Sequence, residues 1–208
     1  MVNKKEISSE TEQKVLDAAR IVFISKGMDG ARMQEIADTA GINKALLHYY
    51  FRSKENLFER VFTEAVGKAL PSIGSFMVSD KPFWEKVDFF IDNYLTLIME
   101  NPFIPNFIVQ EINRDPQNLI RLMQQNNIDF TKIIAVINQD IIKANLRPIS
   151  AEHFVMNLIG LCVFPFVAAP MLTLILCNGD TERFNSILLE RKTVVFDFVK
   201  YSLEKNNL

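Results

Sequence analysis

Residues 33–53 read MQEIADTAGINKALLHYYFRS, two short helical patterns about a tight turn, and this stretch decides the fold. Ile36, Ala37 and Ala40 form a narrow apolar stripe with Gln34, Glu35 and Asp38 opposite, the spacing of an amphipathic helix. Gly41 ends that helix, because glycine takes positive φ without a Cβ penalty. Asn43 then caps a second helix from Lys44 by accepting from a free backbone N–H. That second helix, Lys44 to about Tyr50, is roughly 10 Å long at about 1.5 Å per residue, against a DNA major groove about 12 Å wide. Leu47 and Phe51 fall on its inner side, while Lys44, Ala45, His48 and Tyr49 fall outward. Such a pair, with a cationic and hydrogen-bonding outer face on its second helix, is a helix-turn-helix whose second helix reads base edges.

The segment from Gly41 to Phe58, GINKALLHYYFRSKENLF, resembles the signature of the tetracycline-repressor (TetR) family of bacterial transcription regulators. Gly41, Ile42, Asn43, Leu47, Tyr50, Phe51, Ser53, Lys54, Glu55 and Leu57 match that pattern, and Ala18, Ala19, Phe23, Gly27, Ile36 and Ala37 resemble the family's first two helices. The resemblance covers roughly the first 60 residues and implies an all-α protein. It implies a three-helix helix-turn-helix domain over residues 1–60 and a larger helical effector-binding and dimerisation domain over 61–208. By the same resemblance the chain is a homodimer joined through its last two long helices, binds double-stranded operator DNA with palindromic symmetry, and by default represses. Arg32 departs from the family's capping threonine, Ala45 and Leu46 replace a frequent glycine and threonine, and His48 replaces a tyrosine that touches the DNA backbone. The residues expected at DNA are therefore Lys44, Ala45, His48 and Tyr49, with Arg32, Arg52 and Lys54 on phosphate. Tyr50 and Phe51 read as core pins.

Hydrophobic residues make up 49% of the chain and charged ones 23%, a composition that excludes disorder. Net charge is −2, so attraction to DNA depends on local placement: residues 1–60 hold ten Lys or Arg and nine Asp or Glu, net +1, leaving −3 for the rest. Cys162 and Cys177 sit in apolar sequence and read as buried thiols, with a redox pair as the alternative. No apolar run follows the N-terminal lysines, so a secretory signal is not expected and the cytoplasm is. Neither a glycine-rich phosphate loop, an HExxH site nor a Gly-x-Ser-x-Gly elbow occurs, and His48 and His153 stand far apart, so neither an enzyme nor a cofactor or metal is expected.

Residues 1–8 read as a loose arm, with Ser9 and Glu12 as a capping box for the first helix. Ser53 caps a fourth helix running from Lys54 into the 70s, with Leu57, Phe58, Val61, Phe62 and Ala65 inward, and this helix is shared by both domains. Pro71, Gly74, Asp80 and Pro82 are read as breaks before a helix from Phe83 to Met99, which Asn101, Pro102 and Pro105 end. A short helix over Asn106–Asn113 is followed by one from Pro116 to about Ala144, bent or interrupted near Gln124–Asn127. Residues 154–177 carry only Asn157 and Thr173 as clearly polar side chains and by length alone match a membrane span. Gly160, Pro165 and Pro170 interrupt it and no basic cluster flanks it, so burial is expected, kinked between the two prolines and capped by Ser150. Asn178–Asp180 is a turn before a last helix striped by Phe184, Ile187, Leu188, Val195 and Phe198.

Seventeen phenylalanines and eight methionines suit an adaptable apolar cavity. Phe62, Phe90, Tyr94, Phe103, Phe107, Met123 and Phe130 are the candidate lining, because they lie in helices that enclose the ligand in the family the chain resembles. A small, largely apolar effector that releases DNA is the expected partner. A membrane-tethered regulator and a helical interaction module without DNA binding are the alternatives.

Overall fold

The computed structural model describes residues 4–126 and 128–205. Eleven helices and no strand occur among them: α1 (Lys4–Gly30), α2 (Met33–Ala40), α3 (Lys44–Phe51), α4 (Lys54–Met77), α5 (Phe83–Glu100), α6 (Ile104–Arg114), α7 (Pro116–Gln125), α8 (Phe130–Lys143), α9 (Ala151–Val167), α10 (Ala169–Cys177) and α11 (Thr181–Leu203).

Side-chain caps fix five of the starts. Asn43, Ser53, Asp129, Ser150 and Asp180 each accept from a backbone N–H of the turn they open, satisfying donors a helix leaves orphaned. Where the helix ends depart from the local sequence pattern, the physical reason is visible. The arm expected over residues 1–8 is helical from Lys4, so Ser9 lies inside α1 rather than capping it. Pro71 does not break α4; buried Ile73 and Met77 lie on the turns beyond it, and their packing carries the helix on. Pro105 opens α6 instead of ending α5, since a proline in the first turn gives up an N–H with no helical acceptor. The helix from Pro116 is interrupted at its polar run, as expected: α7 ends at Gln125 and α8 opens at Phe130, where Asp129 takes the N–H of Lys132 at 3.0 Å.

One apolar cluster runs from Val15 and Phe23 of α1 through Phe58 and Phe62 of α4 to Val195 and Leu203 of α11. The core is thus continuous across residue 60, and α4 belongs to both halves of the molecule. Its walls are pinned by a few polar links. Lys86 of α5, only 2% exposed, meets Asp140 of α8 at 2.6 Å. Lys192 of α11 donates to Asp92 and Thr96 of α5, and Arg191 donates to the carbonyl of Leu161 in α9 at 2.7 Å. Cys162 and Cys177 are both free and buried, in separate apolar clusters.

The apolar segment after residue 150 kinks as its prolines require. Pro165 lies in the last turn of α9, Pro170 at the start of α10, and the two helices meet at a bend of 78°. No single described helix is long and apolar enough to cross a membrane; α9 and α10 reach that composition only as this bent pair.

Candidate nucleic-acid interface

The turn between α2 and α3 is built as its residues dictate. Gly41 adopts φ 67°, ψ 31°, and its N–H and that of Ile42 close onto the carbonyls of Asp38 and Ala37. Asn43 accepts from the N–H of Leu46 at 2.8 Å and launches α3. Leu47 is fully buried and Phe51 nearly so, which turns the opposite face of α3 outward. Lys44, Ala45, His48 and Tyr49 all lie on that exposed face, and Tyr49 is 79% exposed. Tyr50, half-buried, packs against the core, and its ring stands edge-on to that of Tyr49.

The far end of α3 is strained. Arg52 has φ 59°, ψ −48°, and the N–H of Ser53 reaches back to the carbonyl of Phe51 at 2.6 Å, close to the γ-turn that bulky residues rarely adopt. His48 braces this turn: its Nδ1 lies 3.0 Å from the carbonyl oxygen of Arg52. A carbonyl only accepts, so Nδ1 carries a proton, which leaves Nε2 as the acceptor of the single-proton tautomer.

The flanking cations divide into two kinds. Arg32 occupies the N-cap position of α2 without making a side-chain cap, and its exposed guanidinium makes no ion pair among the described residues. Lys44 and Arg52 are likewise exposed. Lys54 differs, since its ammonium donates to the carbonyls of Ala31 at 3.3 Å and Asp29 at 3.5 Å. It thereby ties the start of α4 to the end of α1. Lys26, which sequence alone did not single out, is held by Glu35 at 2.7 Å and locks α1 to α2.

The residues expected around an effector do not gather in one place. Phe62, Phe103 and Phe107 join Phe58 in one aromatic group, with the rings of Phe62 and Phe107 4.3 Å apart. Phe90 and Tyr94 stack on each other along α5 with centroids 5.1 Å apart. Burial, and then the neighbouring Cys162, hold the Tyr94 hydroxyl protonated well above the usual tyrosine range. Met123 packs half-buried on the core, and Phe130 is 46% exposed. No group of three or more His, Cys, Asp or Glu able to hold a metal ion occurs among the described residues.

Comparison with known proteins agrees with this geometry. Residues 15–61, spanning α2 and α3 with parts of α1 and α4, match the family described as "Bacterial regulatory proteins, tetR family". The chain is 25% identical over 162 residues to the probable HTH-type transcriptional regulator YttP of Bacillus subtilis, covering 76% of this chain and 77% of that one. It is 34% identical over 73 residues to the HTH-type transcriptional repressor BdcR of Escherichia coli, a match spanning 35% of this chain and 37% of the relative. Its fold is similar to that of the Bacillus subtilis transcriptional regulator FadR in complex with stearoyl-CoA, at a TM-score of 0.62 and 15% identity over 90% of this chain and 96% of that one. Residues 15–61 thus form a helix-turn-helix of the tetR-family type whose second helix bares a polar face, and the chain is similar to DNA-binding transcriptional regulators.

Proposed function

We propose that the protein is a cytoplasmic repressor that binds a pseudo-palindromic operator as a homodimer and lets go when a small apolar effector binds. The observation that carries the DNA half of this reading is the division of α3 into a buried face of Leu47 and Phe51 and an exposed face of Lys44, Ala45, His48 and Tyr49. In this reading Lys44 and His48 address base edges, Tyr49 packs on sugar or a thymine methyl, and Arg32, Arg52 and Lys54 hold phosphate. Lys54 retains a proton for phosphate even while it ties down the end of α1.

Dimerisation is supported by the apolar surface of the last helices. Met156, Phe164, Leu189, Phe198 and Tyr201 on α9 and α11 are large and exposed, a concentration that marks an interface. Two copies joined there would set their α3 helices about 34–36 Å apart, or a multiple of it, on one face of the duplex. Residues 1–60 would then act as the reading head and 61–208 as the sensing and dimerising body, with α4 carrying movement between them. For the effector, the apolar and aromatic interior and the stearoyl-CoA bound by the structurally similar FadR both favour an apolar molecule, with Phe62, Phe90, Tyr94, Phe103, Phe107, Met123 and Phe130 as its candidate contacts.

Selection of bound sequences from a random duplex pool, run with the native protein and with Lys44→Ala and His48→Ala, tests the reading. A palindromic consensus that weakens in both variants is expected. An asymmetric half-site bound by a monomer, with Phe198→Glu leaving the sedimentation coefficient unchanged, would overturn the dimer. Release of DNA only by strongly charged metabolites would count against the apolar effector.

A further inference from the structure

Where the end of α1 passes the start of α6, a recess of about 300 Å³ opens between head and body, at the lower end of the roughly 300–1,000 Å³ occupied by small-molecule sites. Its inner wall is aromatic. Phe58 of α4 stands 5.5 Å from Phe103 and 4.9 Å from Phe107, centroid to centroid, and all three rings are buried in the core and held by each other. Met28 closes the recess from the head and Val109 from the body.

The rim decides the chemistry of an occupant. Asn106 and Gln110 bring exposed amides that have no partner among the described residues. The nearby cation, Lys26, is already neutralised by Glu35 at 2.7 Å, and Asp29 adds a carboxylate. An anionic ligand therefore finds no free cation in the lining, whereas a flat aromatic one finds ring edges and faces to pack on and amides to hydrogen-bond its polar edge.

The position is mechanical as well. Gly27 takes φ 66°, ψ 177° and breaks α1, so the turn carrying Met28 is redirected toward Ala31 and α2. A molecule seated between Met28 and Val109 touches the head on one side and the body on the other. Its affinity must depend on the angle between them.

We propose that this recess is a ligand site for a neutral one- or two-ring aromatic molecule bearing a hydroxyl or amide, and that its occupancy sets the angle of the reading head; the second half rests on the DNA-binding function proposed above. By linkage, whatever factor the ligand imposes on DNA affinity, DNA imposes on ligand affinity, commonly about 5- to 150-fold.

The test uses the full chain labelled with ¹³C at its methionine methyls, titrated with 2-naphthol and with 2-naphthoate as the charged comparator. Met28→Leu assigns the Met28 resonance by its loss. A saturable upfield shift of that resonance with 2-naphthol is expected. Val109→Trp, which fills the recess from a position 39% exposed, should weaken binding by at least about tenfold. Ile112→Trp, exposed on the same helix but outside the recess, should leave binding unchanged. Absence of the Met28 shift, or a Val109→Trp protein that binds as well as the parent while its other methyl signals stay in place, overturns the site. Equal affinity for 2-naphthoate overturns the neutral class. Equal 2-naphthol affinity with and without a duplex that the protein binds overturns the coupling, a result separable from failure to bind DNA at all.

Discussion

His48 and Arg52 are joined within one helical turn: the imidazole Nδ1 donates to the carbonyl oxygen of Arg52 across 3.0 Å. This bond does two things at once. It sets Nδ1 as a donor in the imidazole on the outer face of α3, and it holds the strained turn that ends the helix. With Nδ1 donating, a ring that carries no second proton offers an acceptor at Nε2, which suits an amino group on adenine or cytosine better than a guanine acceptor edge. His48→Ala should therefore relax preference at one base pair in each half-site by about 1–3 kcal/mol. Anisotropy titrations with duplexes altered singly at each half-site position would check this, and a uniform loss at every position would mean that His48 contacts only backbone.

Arg52 pays for its place with backbone strain. At φ 59° a bulky residue costs about 1–3 kcal/mol, while glycine takes the same angle freely but loses about 0.5–1 kcal/mol through chain entropy. Arg52→Gly should thus raise unfolding free energy by about 1 kcal/mol and weaken DNA binding. Loss of one phosphate contact should also reduce the slope of log affinity against log salt by about 1. Urea denaturation and salt-dependent titration measure the two effects separately.

The Lys86–Asp140 pair lies between α5 and α8 with side chains 3% and 13% exposed. Removing one partner leaves the other charge in poor surroundings, so Lys86→Met should destabilise by about 3–5 kcal/mol. Adding Asp140→Leu to it should restore most of that loss, because a well-packed apolar pair of similar volume replaces a buried ion pair at little cost. A double-mutant cycle by urea denaturation checks both, and it fails if the double variant is as weak as the sum of the single ones.

Burial pushes the Cys162 thiol from 9.0 up to about 12, with Arg191 pulling it partly back. Between those values the unfolded chain gives up this proton while the folded chain keeps it. Stability contributed by Cys162 is therefore full below pH 9 and falls as pH rises toward 12. Tyr94, raised by burial and by Cys162, acts in the same direction above its ordinary value of 10.0. In Cys162→Ala, denaturation midpoints should fall less steeply with alkaline pH than in the parent. The same burial should keep a water-soluble disulfide reagent from Cys162 until the chain unfolds.

The helix-turn-helix was legible because its determinants are local: Gly41 must take positive φ, Asn43 must cap, and Leu47 and Phe51 must face inward. Ser150 and the kink between Pro165 and Pro170 were legible for the same reason, whereas Asp180 reads as a turn residue and in the structure also caps α11. Features resting on distant partners were not. Lys54 reads as a surface cation, yet it caps carbonyls 23 and 25 residues away. Nothing local pairs Lys86 with Asp140, 54 residues on. Pro71 reads as a break because tertiary packing, which overrides it, has no local signature. The strain at Arg52 was equally invisible, since nothing in the residue type announces a positive φ.

The outer face of α3 supports none of the core that holds the molecule together. Lys44, Ala45, His48 and Tyr49 are all exposed, and the stability of the fold is vested in Leu47, Phe51 and the caps. Lys44, Ala45 and Tyr49 are thus free to change in evolution or in the laboratory without a compensating change elsewhere, whereas His48 also braces the turn at Arg52. A library randomised at those three with helix-forming residues should stay folded across nearly all its members, and so redirect the protein to new target sequences one substitution at a time.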